Sequence, residues 1–302
     1  MRVQVRLATT AEWNRWLVDR TDRLTAAVER WYGGPVGARA EAVRELDSMA
    51  TGGTLLALET GDRGEPAGFV GVTAAGQLDE VWIAEDRRGH GLGKAGRDAG
   101  LRWLTERGCV QAATTIDSAD PASVALCRGW RLVSQRMERT LQEPPVLREG
   151  TSARPMTLAE FTPWLAGCVE AYADTMVEAG EHDEAGALVE STASHARLLP
   201  DGVKTSGSSL LVLESSGRRV GMVWVAHHKP GTRSFVYDVE IEPAERGRGH
   251  GRQAMLAAQR AALANDDRTI GLNVFSHDEV ARGLYTSLGY RVADQSFALE
   301  LR

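Results

Sequence analysis

The sequence predicts an α+β protein built from two copies of one domain. The chain has 302 residues, and domains typically contain about 100–200 residues, so the length suits two domains. Residues 88–93 (RGHGLG) align with residues 246–251 (RGRGHG), and the predicted strands that precede these two segments align at the same offset. Strand patterns are mixed with helix patterns in each half, which predicts mixed, mostly antiparallel sheets flanked by helices.

The repeat and the linker between its copies define the predicted domains. Residues 1–142 form the predicted N-terminal domain and residues 147–302 the predicted C-terminal domain. Between them the segment Gln-Glu-Pro-Pro at 142–145 predicts a stiff, extended linker, because proline restricts the backbone. Residues 129–141 predict a hairpin that closes the first copy.

Each copy opens with the same helix-start signal. Thr9 with Glu12, and Thr157 with Glu160, have the spacing of a capping box, in which each side chain binds the backbone amide of the other residue. A helix is therefore predicted near the start of each copy.

Composition excludes several classes of protein. Charged residues make up 25% of the chain and hydrophobic residues 43%, values that are ordinary for a soluble globular protein. The net charge of −6 provides no general attraction to nucleic acid or to an anionic membrane, so we expect neither as a partner. Three widely separated cysteines without metal-ligand spacing, and an N-terminus without a signal peptide, predict a cytoplasmic protein with no metal. A monomer and a homodimer both remain open.

Residues 246–252 (RGRGHGR) lie where a predicted strand turns into a predicted helix. Glycines at this position let successive backbone amides point at one anion, and the helix N-terminus adds its positive end. The segment lacks the GKS or GKT of a P-loop, and its glycines are spaced two apart, unlike those of G-x-G-x-x-G. The pattern favours a phosphate-binding loop, although a tight surface turn with solvated arginines would have a similar sequence.

A second segment, residues 273–290 (NVFSHDEVARGLYTSLGY), decides between these readings. The two segments together resemble the R/Q-x-x-G-x-G/A loop and the later N-x-x-A-x-x-L-Y-x-x-x-G-F/Y motif of the GNAT (GCN5-related) N-acetyltransferases. Asp278 occupies the Asn position, a departure that weakens a hydrogen-bond donor role there. The matching residues are Ala281, Leu284, Tyr285, Gly289 and Tyr290. Because the glycine loop occurs twice, the resemblance covers nearly the whole chain and identifies a tandem GNAT protein.

The resemblance implies an enzyme that transfers an acetyl group from acetyl-CoA directly to a primary amine of a small molecule, in a ternary complex. In this family the pantetheine lies in a gap between the fourth and fifth strands, and the loop binds the pyrophosphate. The cofactor-binding residues implied for the C-terminal copy are Val239, Ile241, Arg246, Gly247, Arg248, Gly249, His250, Gly251, Arg252 and Asp278. Those implied for the N-terminal copy are Val81, Ile83, Arg88, Gly89, Gly91, Gly93 and Lys94. Backbone groups of Val239 and Ile241 would polarise the thioester carbonyl.

The resemblance assigns the general acid to Tyr285. Its phenol would protonate the thiolate of CoA as that group leaves. A tyrosine that only packs on an amphipathic helix is the alternative.

The general base is less clearly indicated. Many relatives carry a Glu early in the fourth strand, and counting back from the glycine loop places Phe235 there. Tyr237 shares the face of Phe235, whereas three acidic residues alternate with it unless a bulge turns them: Asp238, Glu240 and Glu242. We assign the base to Glu240, acting through a water, with a solvated carboxylate as the alternative. An acceptor amine of low pKa would need no strong base.

The N-terminal copy keeps the loop but not the acid. Aligning Asp120 with Asp278 places Cys127 at the position of Tyr285, and the base position falls on Gln77. We therefore expect a degenerate domain that retains the CoA loop, with Cys127 as a buried, inert thiol rather than a substitute acid. A non-catalytic acyl-CoA-binding or regulatory protein is the alternative function. Tyr285 argues against it, and the missing strand Glu argues for it.

Overall fold

The computed structural model describes residues 3–32, 39, 42–43, 46–61, 65–179, 183–228 and 233–301. The chain divides into two compact units: an N-terminal unit of Met1–Glu138 and Asn273–Arg302, and a C-terminal unit of Arg139–Leu272. Helices and strands are mixed in both, which confirms the α+β prediction. Within the described ranges, no helix has the length and apolar character needed to cross a membrane.

The N-terminal unit contains two groups of paired strands. The first four strands pair antiparallel in the order β1-β2-β3-β4, and α3 packs on β3 and β4. The strands are β1 (Gln4–Leu7), β2 (Gly53–Glu59), β3 (Gly68–Thr73), β4 (Leu78–Ile83), β5 (Gln111–Asp117), β6 (Arg131–Thr140) and β12 (Arg291–Glu300). The helices are α1 (Thr10–Tyr32), α2 (Asp47–Gly52), α3 (Leu92–Glu106), α4 (Pro121–Leu126) and α8 (Glu279–Ser287).

The predicted hairpin over residues 129–141 is wrong. This segment forms the single strand β6, whose antiparallel partner in the unit is β12, from the end of the chain. On its other side β12 pairs with β5, where Ser296 faces Thr115 and their hydroxyls lie 3.0 Å apart. A hairpin pattern in sequence identifies two strand-forming runs but not the partner of the second. The compact units therefore differ from the predicted ranges 1–142 and 147–302, which remain the prediction for the extent of the two repeats.

The C-terminal unit has one continuous sheet. Its strands are ordered β7-β8-β9-β10-β11, with all neighbours antiparallel except the parallel pair of β10 and β11. The strands are β7 (Thr151–Pro155), β8 (Ser208–Ser215), β9 (Arg218–His228), β10 (Arg233–Ile241) and the first part of β11 (Thr269–Phe275). The helices are α5 (Leu158–Ala179), α6 (Glu184–Leu198) and α7 (His250–Ala264). Small residues of α7, Ala254 and Ala257, pack against Leu213 and Val220 of the sheet.

Both predicted capping boxes are present. The Thr157 amide donates to Glu160 Oε2 at 2.9 Å, and Arg154 Nη2 lies 2.7 Å from Glu160 Oε1. The hydrogen bond from Arg154 and those from Thr157 lower the pKa of Glu160 to about 2. In the other copy, Arg6 and the capping threonine lower the pKa of Glu12 to about 2 in the same way.

The glutamate of a capping box should contribute stability that acid removes. Because the folded-state pKa of Glu160 lies below its ordinary value of 4.5, its contribution is present above about pH 4.5 and is lost as the pH falls towards 2. We expect Glu160→Gln to lower the free energy of unfolding at neutral pH by about 1 kcal/mol, because the neutral amide keeps the capping contact but loses the charge-assisted hydrogen bonds from Arg154. Denaturant unfolding from pH 7 to pH 2.5 should show this difference shrinking on the acid side. A difference that is the same at every pH would contradict the assignment.

Candidate active site

The glycine loop of the C-terminal copy is held in backbone conformations that favour glycine. Gly247 has φ 74°, and Gly249, the residue before α7, has φ 81°. A Cβ on Gly247 would meet no atom within 4 Å, and one on Gly249 would meet only Arg148 Nη1, at 3.9 Å. Conformation rather than crowding therefore requires these glycines. The exposed loop leads into the N-terminus of a 15-residue helix, an arrangement suited to an anion.

The loop arginines have different surroundings. Arg246 Nε donates to the carbonyl of Ile241 at 3.1 Å, which fastens the loop to the end of β10. Arg248 is exposed, and its Nη1 donates to Glu245 Oε2 at 3.1 Å. Arg252 lies on the first turn of α7 and is exposed. Cationic groups thus surround the loop, with one carboxylate among them.

The positions of two side chains beside the loop are visible only in the structure. The side chain of His250 is buried and lies 3.6 Å from Glu245 Oε2, so this residue can serve an anion through its backbone only. Arg148, which sequence reasoning missed, donates from Nη1 to the carbonyl of Arg248 at 3.3 Å. Arg148 comes from a segment about 100 residues earlier, where no local pattern marks it.

The N-terminal copy has the same loop geometry. Gly89 has φ 80°, and Gly91, the residue before α3, has φ 79°. Arg88 Nε donates to the carbonyl of Ile83 at 3.1 Å, as Arg246 does to Ile241. In α3 the predicted residues Gly93 and Lys94 follow, the first facing Leu126 and the second exposed. The two loops are therefore equivalent in backbone and in anchoring.

In each copy, the fourth strand pairs with the fifth strand over only part of its length. In the C-terminal copy, β10 pairs with β11 over residues 233–236, whereas its pairing with β9 continues to Ile241. In the N-terminal copy, an isolated bridge from Gln77 to Ala113 precedes β4 and joins it to β5. Within the described residues, pairing thus ends before the segments assigned to pantetheine, which contain Val239 and Val81. The side chain of Val239 packs on the cluster beneath α7.

A β-bulge at Tyr237 turns the acidic residues of β10. Val236 pairs with Val225 and Asp238 with Trp224, so that Tyr237 is the extra residue. Tyr237 stacks on Trp224 with ring centroids 4.7 Å apart. Asp238 contacts Trp164, whose ring meets Trp224 edge-on at 5.8 Å. The bulge therefore places Asp238 on the face of Tyr237, the exception that the sequence analysis left open.

Asp238 is a half-buried acid to which the sequence analysis assigned no role. Its Oδ2 accepts a hydrogen bond from Trp164 Nε1 at 3.0 Å, and Cys168 Sγ lies 3.8 Å away. Burial raises the pKa of Asp238, opposed by the hydrogen bonds from these two residues and by the charge of His195. Burial also raises the pKa of the Cys168 thiol, so this cysteine is not an activated nucleophile. Trp164 precedes Asp238 by 74 residues, and only the fold brings them together.

Glu240, the predicted base, lies two residues beyond Asp238 and therefore on the same face of β10. Its side chain is exposed. Partial burial raises the pKa of Glu240, and the charges of Asp238 and Glu242 raise it further. A raised pKa is a property that a general base at neutral pH requires.

Tyr285 and Asp278 lie in the N-terminal unit. Asp278 is the N-cap of α8, and its Oδ1 accepts from the amide of Ala281 at 2.8 Å, so its side chain already serves the helix. Tyr285 is half-buried on α8, with its ring 5.9 Å from that of Tyr290. The roles assigned to the two residues remain predictions.

The N-terminal copy offers no activated group at the acid position. Cys127 is buried, and burial raises the pKa of its thiol. The predicted burial of Cys127 is therefore confirmed, and its lack of reactivity stays a prediction. In the part of the chain that the structure describes, no group of three His, Cys, Asp or Glu residues could hold a metal ion.

The chain is similar to known acetyltransferases in sequence and in fold. The model of the acetyltransferase (GNAT) family matches residues 16–130 and 165–290. The uncharacterized N-acetyltransferase YycN of Bacillus subtilis is 32% identical over 143 residues, 46% of this chain and 92% of that protein. A mycothiol acetyltransferase of Thermomonospora curvata is 31% identical over 228 residues, 72% of this chain and 71% of that protein. The fold matches a GCN5-related N-acetyltransferase from Sphaerobacter thermophilus with TM-score 0.63 and 20% identity, covering 99% of this chain and 96% of the other.

Proposed function

This chain belongs to the GNAT acetyltransferase family and is an N-acetyltransferase, and we propose that it acetylates a primary amine of a small molecule directly from bound acetyl-CoA. Its family carries out acyl transfer, and family members generally use acetyl-CoA. The observation that most supports the finer proposal is the exposed glycine loop at Gly247 and Gly249, which lies between the partly unpaired strand β10 and the N-terminus of α7.

The loop and the strand would divide the binding of acetyl-CoA. Backbone amides of residues 247–251 bind the pyrophosphate at the N-terminus of α7. Arg248, Arg252 and Arg148 add positive charge to the same surface. Backbone groups of Val239 and Ile241 bind the pantetheine and polarise the thioester carbonyl, which stabilises the oxyanion of the tetrahedral intermediate.

The transfer itself proceeds in one ternary complex. The amine nitrogen attacks the thioester carbon, a C–N bond forms, and the C–S bond breaks as the intermediate collapses. We assign removal of the amine proton to Glu240, through a water, and protonation of the departing thiolate to Tyr285. Holding both substrates together supplies a further large part of the acceleration.

We assign catalysis to the C-terminal copy. The N-terminal copy has an equivalent glycine loop, with Gly89 and Gly91 at positive φ, so it retains a means of binding CoA. It has Cys127 in place of the acid, and that thiol is buried. We therefore propose a degenerate N-terminal domain.

We propose that this chain and the Thermomonospora relative act on different acceptors. Phe235 occupies the strand position where many members of the family carry a catalytic Glu. The acidic residues that we assign to this site are instead Asp238 and Glu240, which follow the bulge of β10. We expect the acceptor to differ accordingly.

The proposal is tested by turnover of the full-length chain with acetyl-CoA and a panel of primary amines. We expect release of CoA thiol in amounts equal to the N-acetylated amine that mass spectrometry detects. Initial rates with both substrates varied should give intersecting lines, as a ternary complex requires. Parallel lines would point to an acetyl-enzyme, and thiol release without any acetylated amine would leave only hydrolysis.

A further inference from the structure

The two copies build the same contact at the bulge of the fourth strand. In the C-terminal copy, the residue after the bulge, Asp238, accepts a hydrogen bond from the indole of Trp164 at 3.0 Å. In the N-terminal copy, Glu80 follows the bulge of β4 and accepts from the indole of Trp16 at 2.9 Å. Each tryptophan lies four residues after the glutamate of its capping box, so the two sites correspond residue by residue.

In the N-terminal copy, arginines of the same domain neutralise the carboxylate of Glu80. Two arginines of α1 bind Glu80: Arg20 Nη1 lies 3.1 Å from Oε1, and Arg23 Nη2 lies 2.9 Å from Oε2. A second carboxylate, Asp79, lies 3.9 Å from Arg20 Nε, with a buried oxygen that has no hydrogen-bond partner. Two acids and two guanidinium groups therefore occupy the site.

The C-terminal copy has the acid without the arginines. Counting along α5 from Trp164 as along α1 from Trp16, Cys168 replaces Arg20 and Ala171 replaces Arg23. Tyr237 replaces Asp79 as the bulge residue. Within the described ranges, Asp238 forms no salt bridge with an arginine or lysine.

Aromatic rings lie around this single carboxylate. Trp164 and Trp224 are buried, and Tyr237, which stacks on Trp224, is 39% exposed at the surface of the site. Aromatic faces attract cations, and a half-buried carboxylate without an arginine or lysine partner is stabilised by a cation that reaches it, in addition to the nearby charge of His195. In the N-terminal copy, the guanidinium groups of Arg20 and Arg23 are such cations.

We propose that Asp238, with the exposed ring of Tyr237 that Trp224 supports from beneath, binds the ammonium group of the acceptor, and that Arg20 and Arg23 occupy the corresponding site in the N-terminal copy. This inference rests on the proposed function, because it names the acceptor as a primary amine that arrives protonated on an apolar or aromatic body. It also explains the division between the copies: one acceptor site is filled by the protein itself. A protonated acceptor loses two protons, one before its nitrogen attacks and one as the C–N bond forms. Glu240, next on the same face of β10 and exposed, is placed to pass the first to solvent and then to receive the second.

The test compares benzylammonium with benzyl alcohol, a neutral molecule of nearly the same shape, as ligands of the full-length chain in NMR titrations at pH 7. We expect the wild-type chain to bind benzylammonium about 10- to 100-fold more tightly, the usual range for one charge-assisted contact. Asp238→Asn should reduce this preference to near unity, because the amide can still accept from Trp164 but carries no charge. Glu80→Gln, the matched change in the other copy, should leave the preference intact.

A second variant tests the inference without altering Asp238. Ala171 is exposed on α5, and Ala171→Arg restores the arginine of the N-terminal copy. We expect it to abolish the preference for benzylammonium while acetyl-CoA binding is unchanged. Ala171→Met, which adds similar bulk without charge, should retain the preference.

The outcomes separate this inference from the proposed function. No preference in the wild-type chain, or the same preference in Asp238→Asn or in Ala171→Arg, would overturn the ammonium site. If amines are nevertheless acetylated, the proposed function stands without it. If the preference behaves as expected and no amine is acetylated, the ammonium site stands and the proposed function fails.

Discussion

Tyr285→Phe is expected to reduce turnover by roughly 10²- to 10⁴-fold, the usual contribution of a positioned general acid. The substitution removes one oxygen and keeps the ring, which lies 5.9 Å from that of Tyr290. Folding and acetyl-CoA binding should therefore be nearly unchanged. Because proton transfer to the thiolate belongs to the transition state, the loss should appear in kcat and not in KM.

The donor supplies a chemical control for this variant. An acetyl thioester of an acidic aryl thiol leaves without protonation, so it should recover part of the rate in Tyr285→Phe. Tyr290→Phe makes the same change on the neighbouring ring and should have little effect on kcat. Wild-type turnover of Tyr285→Phe with acetyl-CoA would show that the phenol serves only for packing.

Gly249→Glu is expected to weaken acetyl-CoA binding by the C-terminal copy by at least about 100-fold, which corresponds to about 2.8 kcal/mol. The new carboxylate would lie among the amides that we propose bind the pyrophosphate, and φ 81° at this position disfavours any side chain. Isothermal titration calorimetry should give one or two acetyl-CoA sites for the wild-type chain and one fewer for the variant.

Backbone strain and charge can be separated at the same position. Asparagine tolerates positive φ better than other residues, so Gly249→Asn should cost much less affinity than Gly249→Glu. Equal losses in the two variants would show that loop conformation, and not the pyrophosphate charge, explains the effect. No acetyl-CoA binding by the wild-type chain would contradict the cofactor assignment altogether.

Features that depend on residues close together in the sequence could be predicted. The sequence predicts a glycine loop between a strand and a helix at residues 246–252, and in the structure Gly247 and Gly249 lie between β10 and α7. The capping boxes, for example Thr157 with Glu160, depend on residues three apart and form as expected. The glycine loop of the N-terminal copy could be found in the same way, because residues 88–93 align with residues 246–251.

Features that depend on distant residues could not be predicted. The partner of β6 is β12, from the far end of the chain, so the local pattern at 129–141 was interpreted as a hairpin. The bulge at Tyr237 arises in the pairing of β10 with β9. Without the bulge, Asp238 would face away from Trp164. The burial of the His250 side chain depends in the same way on residues outside the loop, and the sequence analysis made no prediction about it.

The central claim, that the C-terminal copy acetylates an amine, is tested most directly by turnover of a matched pair of variants. Gly91 and Gly249 have φ 79° and 81°, both precede a helix, and both are exposed, so Gly91→Glu and Gly249→Glu make the same change in each copy. With acetyl-CoA and the best amine of the panel, we expect Gly91→Glu to retain most of the wild-type rate of CoA release. Gly249→Glu should lose nearly all of it. Loss of activity in Gly91→Glu with wild-type turnover in Gly249→Glu would contradict this account and assign catalysis to the N-terminal copy.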